Sequence, residues 1–298
     1  MPETLDKTYE RILSQIPKEY HYEARVVFAL LICSTRPVSL TEAAEATAVT
    51  IESESFDMRN RLRDPLTILK ICSSFVTLSP FERHDSRIAT CDGDKTLRFA
   101  HYSVREYLVS ERAPAKFKIT ADDASKIITR ISISYLLSMD DAMEVIPSTF
   151  KALPFLLYAS RNWSVHAKTF QKDRPREVNA LILRLFDKSN TDKLKNLVCI
   201  CDPDRPYSHP SQNNKFVSRL YYASLFGFVE ACENILKGLE AASFAGHEAV
   251  VRLLLDEGAE VNAQGGHYGN ALEAASFGGH EAVVRLLLDE GAERQVGR

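Results

Sequence analysis

Residues Leu239–Glu260 read LEAASFAGHEAVVRLLLDEGAE, and residues Leu272–Glu293 read LEAASFGGHEAVVRLLLDEGAE. The two copies differ only at Ala245 versus Gly278 and are offset by 33 residues. A unit this small cannot bury its own apolar face and becomes stable only by stacking on a neighbour. The stretch therefore points to an interaction scaffold rather than a catalyst.

A 33-residue period, with Gly-His followed by Val-Val and a leucine triplet, resembles the ankyrin repeat. A degenerate unit precedes the two copies: Tyr222–Leu236 (YASLFGFVEACENIL) aligns with Ala274–Leu288, setting Gly227 on Gly279. The step from Tyr222 to Ala241 is only 19 residues, 14 short of the period. The missing piece is the β-hairpin finger that joins one repeat to the next. The sequence ends at RQVGR before its last repeat can build a finger, leaving one complete finger, Gly258–Asn270. Across the shortened junction, Lys237-Gly238 is expected to form a tight helical hairpin with the glycine left-handed. Local disorder or distortion is the alternative.

The 298 residues leave room for two or three domains, and 45% hydrophobic with 26% charged residues is ordinary for a globular chain. A net charge of −3 and a pI near 6.3 give no overall reason to bind nucleic acid or anionic lipid. The amino terminus, MPETLDKTYE, is polar and acidic, unlike a secretory signal. The longest apolar run, Val26–Cys33, is too short to span a bilayer and reads as a buried helix. Six scattered cysteines form no CxxC pair. Cys33, Cys72 and Cys232 lie in apolar helical patterns, where free cysteine acts as a small hydrophobe. A reducing compartment is expected, the cytoplasm or alternatively the nucleus.

Leu5, Tyr9, Ile12, Leu13 and Ile16 share one helical face that Pro17 ends. Further helices are predicted at Glu19–Cys33, at Ser39–Val49 with Ser39 or Thr41 as N-cap, and at Asp64–Ser73 with Asp64 capping and Pro65 at N1. Two β-like runs, Phe75–Leu78 and Thr96–His101, flank a long polar tip, and a helix at Ser103–Ser110 follows. Helices followed by a long-tipped hairpin describe a winged helix-turn-helix. Thr120 with Asp123 approximates a capping box ahead of an apolar stripe at Ala124, Ile127, Ile128 and Ile131. Leu153–Lys168 carries Trp163, Glu177–Phe186 is amphipathic, and Asp202–Asn214 reads as a linker. The fold class is mainly α. Residues 1–112 are a winged-helix domain with a leading helix, 113–212 a helical connector with its linker, and 213–298 about three ankyrin units.

LDKTYERIL, RPVSLTEAAEA and LRFAHYSVREYLVS resemble the winged-helix segment of fungal-type NACHT-ankyrin proteins, STAND-class relatives of NOD-like receptors. The resemblance implies an order of NACHT domain, winged helix, helical connector and ankyrin array. It also implies that Leu153–Lys168 is the helix pair leading into the array, and that the winged helix packs on the NACHT domain. In such relatives a histidine in an H-x-S/T context contacts the β-phosphate of ADP; His101, Tyr102 and Ser103 match. The sequence lacks G-x-x-x-x-G-K-[ST], so a phosphate cradle is missing and a lone imidazole cannot hold a nucleotide. A ring bonded locally at the strand–helix junction is the expected state of His101.

Ligand contacts in ankyrin arrays come from inner-helix ends and fingers. Leu225, Phe226, Phe244 and Phe277 hold the first position, and Asn262, Gln264, His267 and Tyr268 the second. Packing between neighbouring repeats is the alternative for the large apolar groups. His247 and His280 are expected to support the inter-helix turns. A metal at His84-Asp85 is not expected, and no nucleophile elbow, HExxH or paired-carboxylate pattern appears. Arg59, Arg61, Arg63, Lys70, Arg83 and Arg87 invite a nucleic-acid reading, but DPLTILKICS is too apolar for a groove-reading helix. The reading is a non-catalytic scaffold without catalytic residues, metal or cofactor, a fragment or short relative of a NACHT-ankyrin signalling protein. Its expected partners are proteins held by the repeats, including a NACHT ATPase or a second copy, with neither membrane nor nucleic acid. Two alternatives stand beside it: a coregulator in a nuclear complex, and a degenerate product without independent function.

Overall fold

Ser39 shows how locally the first helices are specified. Its hydroxyl accepts the Glu42 N–H at 3.1 Å, while the Glu42 carboxylate accepts the Ser39 N–H at 2.9 Å. That reciprocal cap starts a helix at Leu40. The computed structural model describes residues 3–80, 95–170, 174–202, 218–256, 259–263 and 268–293. It is mostly helical, with two small antiparallel sheets among the described residues.

The amino-terminal elements run α1 (Glu3–Ser14), α2 (His21–Cys33), β1 (Val38–Ser39), α3 (Leu40–Ala46), β2 (Val49–Thr50), β3 (Ser55–Phe56), α4 (Thr67–Ile71), β4 (Val76–Pro80), β5 (Lys95–Phe99) and α5 (Tyr102–Val109). β5 is central, pairing Leu97 with Val38 of β1 and with Leu78 of β4. This is the winged-helix order, with the short β2–β3 ladder inserted between α3 and α4. Aromatic rings fill its core: Tyr9 meets Phe75 edge-on at 5.3 Å, and Phe28 lies 5.9 Å from Phe75 and 6.4 Å from Phe117. The Tyr9 hydroxyl bonds Ser103 Oγ at 2.7 Å and ties α1 to α5. α4 is shorter than expected because Asp64 caps a preceding turn, accepting the Leu66 N–H at 3.0 Å. The wing tip, with Arg83, His84, Asp85, Arg87 and Cys91, lies outside the described residues.

α6 (Ala121–Leu137) opens on the Thr120–Asp123 capping box, each partner accepting the other's N–H at 3.1 Å, and buries Ala124, Ile128 and Ile131. It packs on α2 and on α8 (Leu156–Lys168), which follows α7 (Pro147–Ala152). Leu153–Lys168 is thus not a helix pair: one helix covers it and buries Trp163 fully. α9 (Arg176–Leu185) and α10 (Thr191–Ile200) complete the connector. Met1–Leu181 with Asn196–Asn213 form one compact unit. The sequence boundary near 112 falls inside it.

The second compact unit comprises Ile182–Lys195 and Asn214–Arg298. It contains α11 (Arg219–Phe226), α12 (Val229–Phe244), α13 (Glu248–Asp256), α14 (Ala271–Phe277) and α15 (Glu281–Asp289). The hairpin expected at Lys237-Gly238 is not there. α12 runs unbroken for 16 residues through Gly238, which is not among the left-handed glycines. Without a finger to reverse the chain, continuing the helix adds a hydrogen bond per residue, which offsets glycine's helix cost of about 1 kcal/mol. The outer helix of the first repeat and the inner helix of the second repeat are therefore one rod.

The carboxy half of α12 pairs with α13, and α14 pairs with α15. Leu239, Val251, Leu254, Leu272, Val283 and Leu287 form their shared buried core. The turn glycines Gly246 and Gly279 both sit at φ +71°, where a side chain would be strained. The His280 ring packs where a Gly246 side chain would have to go.

Candidate functional site

Phe244 and Phe277 end the inner helices α12 and α14, one repeat apart. Preceding positions Ala242 and Ala275 are buried in the core, so the phenylalanines are turned outward. Phe244 is 38% exposed and Phe277 73%. Tyr268, at the end of the finger, stacks on Phe244 at 4.7 Å with planes 13° apart and lies 4.9 Å from Phe277. The two phenylalanine rings are 6.3 Å apart. Tyr268 is held from its backbone, whose N–H donates to Glu240 Oε1 at 2.7 Å. Asn270 then caps α14, its Oδ1 accepting the Glu273 N–H at 2.8 Å. Three touching rings on fixed backbone make a preorganised apolar anchor that loses little rotamer entropy on binding.

The other predicted contacts fare differently. Phe226 is a correction: it is 6% exposed and packs 5.9 Å from Phe228 and 6.4 Å from Phe186. Phe186 lies outside the repeats, so nothing in the repeat pattern could signal this burial. Leu225 is exposed but cannot join the ladder. The fused α12 is roughly 24 Å long, and it puts the turn after Leu225 and the turn after Phe244 at opposite ends. Asn262 spends its side chain within the unit, donating to the Gly291 carbonyl at 3.1 Å and accepting the Glu293 N–H at 2.8 Å. Gln264 and His267 lie outside the described residues. His280 supports the turn of the preceding repeat, whereas His247 is exposed.

His101 caps α5, its Nδ1 accepting the Ser103 N–H at 3.2 Å and lying 2.5 Å from Ser103 Oγ. That is the local arrangement expected for it. Arg59 pairs with Asp57 at 2.6 Å. Arg61 pairs with buried Glu45, which also accepts the Tyr135 hydroxyl at 2.8 Å. Ile68 and Ile71 of α4 are buried, and its outward face carries Lys70 as the single basic group and no Arg, Asn or Gln to read a groove.

Among the described residues, no group of three or more His, Cys, Asp or Glu is placed to hold a metal ion. Burial pushes the Cys33 thiol up to about 11 and the Cys72 thiol higher, which keeps both protonated. His166, buried with Nε2 3.1 Å from the Tyr158 hydroxyl, is pushed down to about 4 by burial. Among the described residues, no helix is long and apolar enough to cross a membrane.

The family described as GPI inositol-deacylase, winged helix domain, matches residues 10–120, and the ankyrin repeat family matches residues 219–266. The chain joins a winged helix domain to an ankyrin repeat. The ankyrin match begins at Arg219, the first residue of α11, and crosses the fused helix. The chain is similar to azaphilone pigments biosynthesis cluster protein L of Monascus ruber, with 33% identity over 296 residues. That match covers 88% of this chain, which spans only 60% of the relative's length. No solved structure matches the chain. The winged helix domain is not itself a catalytic module, and the ankyrin repeat supports a protein-interaction role.

Proposed function

We propose that this chain is a non-catalytic protein-interaction scaffold of NACHT-ankyrin type. Its partners bind on the inner-helix side of α12 and α14. One observation carries this reading: Phe244, Tyr268 and Phe277 touch one another while Phe277 stays 73% exposed. Aromatic side chains at the centre of a patch are what interface hot spots are made of. The winged helix serves protein contacts in this reading, because α4 offers Lys70 as its lone basic group and two nearby arginines are paired with carboxylates.

The test places a photo-crosslinking residue at Phe277 in the full chain and, as a control, at Leu288 on an outer helix, which is also exposed. Irradiation in host cells is expected to give discrete protein adducts from position 277 and none shared with position 288. Adducts formed only from 288, or none from 277, would remove the inner-helix face from consideration.

A further inference from the structure

Between Leu239 and Glu293 the two near-identical copies carry ten carboxylate side chains and only two arginines, with no lysine. Both arginines are engaged along their own helices, Arg252 with Glu248 at 3.2 Å and Arg285 with Glu281 at 2.5 Å. The repeats therefore present an anionic field to solvent, in a chain whose total net charge is only −3.

The acidic groups reach the rings. Glu240 precedes Phe244 by one helical turn, and Glu273 precedes Phe277 by the same step, so each carboxylate shares a helix face with its ring. The Glu240 carboxylate bonds the backbone of Tyr268 at 2.7 Å, and the Glu273 carboxylate packs against Gly269, the next residue along. The ring trio thus has two carboxylates on its amino-terminal side, Glu240 buried beneath it and Glu273 half-buried beside it. An aromatic face is the negative end of its own quadrupole and attracts a cation laid over it. Rings and carboxylates here favour the same sign of charge. A planar guanidinium suits this surface best, since it can stack on a ring and bond a carboxylate with its edge.

We propose that this surface takes a basic segment of a partner protein, with an arginine side chain laid on Phe277, the half-buried Glu273 as its near counter-charge and the buried Glu240 acting on it through its field. The inference deepens the proposed function and rests on its assignment of the binding face. An anionic partner, nucleic acid included, is repelled by the same field.

The test is a random dodecapeptide display selection on the immobilised full chain at about 50 mM salt, where surface charges are weakly screened. Recovered peptides are then synthesised and titrated by fluorescence anisotropy. The expected binders carry net positive charge and an arginine. Their Kd should weaken about tenfold in E240Q/E273Q and at least about tenfold in F277A. Raising the salt to about 500 mM should weaken binding further. E240Q keeps an oxygen that can accept the Tyr268 N–H, so the rings stay in place. Neutral or acidic binders, or a Kd unmoved by E240Q/E273Q, would overturn the charge assignment. If such peptides still lose binding in F277A, the face stands and only its chemistry is wrong. If no recovered peptide is sensitive to F277A, the face itself fails.

Discussion

Gly238→Ala asks whether α12 is one helix. Gly238 sits inside Val229–Phe244, and a Cβ built there meets nothing nearer than Leu254 Cδ1 at 3.7 Å, an ordinary contact. In a continuous helix the substitution removes glycine's backbone freedom without a clash, and should stabilise α12 by about 0.5–1 kcal/mol. In a left-handed hairpin turn the same change would cost about 1–2 kcal/mol, because the Cβ would crowd the following carbonyl. The two geometries therefore predict opposite signs. Hydrogen exchange of the peptide spanning 229–244 reads the difference locally, which matters in a chain of two compact units. We expect G238A to slow exchange there by roughly two- to fivefold. Gly246→Ala provides the contrast, since Gly246 is left-handed and covered by the His280 ring. It should speed exchange in α13 and α15. Faster exchange across 229–244 in G238A would refute the fused helix.

At Gly278, a Cβ would lie 2.5 Å from the Phe244 carbonyl oxygen, a backbone atom that cannot yield. Gly278→Ala should destabilise the stacked pairs by about 1–3 kcal/mol, whereas Ala245→Gly should cost less than about 1 kcal/mol; exchange rates in α14 and α15 compare them. His166 gives the first unit a pH signature. Above about pH 6.5 its imidazole is neutral both folded and unfolded, so it contributes nothing. As pH falls from 6.5 towards about 4, only the unfolded state takes up the proton. About 3 kcal/mol should be lost over that window. Urea midpoints followed by the fluorescence of Trp163, the single tryptophan, should show this slope, and His166→Phe should flatten it.

What could be foreseen was local. The Thr120–Asp123 cap, whose partners lie three residues apart, formed as expected, and of the two N-cap candidates Ser39 and Thr41 it is Ser39 that caps, with Glu42 closing the box. Phe244 and Phe277 were marked by the repeat offset, and Tyr268 by its place in the finger. Several of the misses depend on distant partners. β1 is two residues long and exists only because β5 pairs with it. Phe226 is buried by Phe186, and Asn262 is claimed by Gly291 and Glu293. The glycine at Lys237-Gly238 suggested a turn, but local glycine preference was outweighed by helix continuity and packing on Leu254. The lone difference between the copies follows from that same junction. Gly278 must stay small beneath the preceding turn, whereas the rod carries the turn before Ala245 to its far end.

The rod also alters how this part of the chain can accept insertions and deletions. A finger is a loop, and loops accept added residues at small entropic cost. Ile235 and Leu239, four apart and both buried, lie on either side of the junction in α12. One residue inserted between them would rotate everything beyond by about 100° and advance it about 1.5 Å. Leu239 and Ala242 would then swing out of the core they help to build. Losing the finger has thus turned the most length-tolerant joint of the array into a phase-locked coupling, permissive to substitution and closed to any change in length.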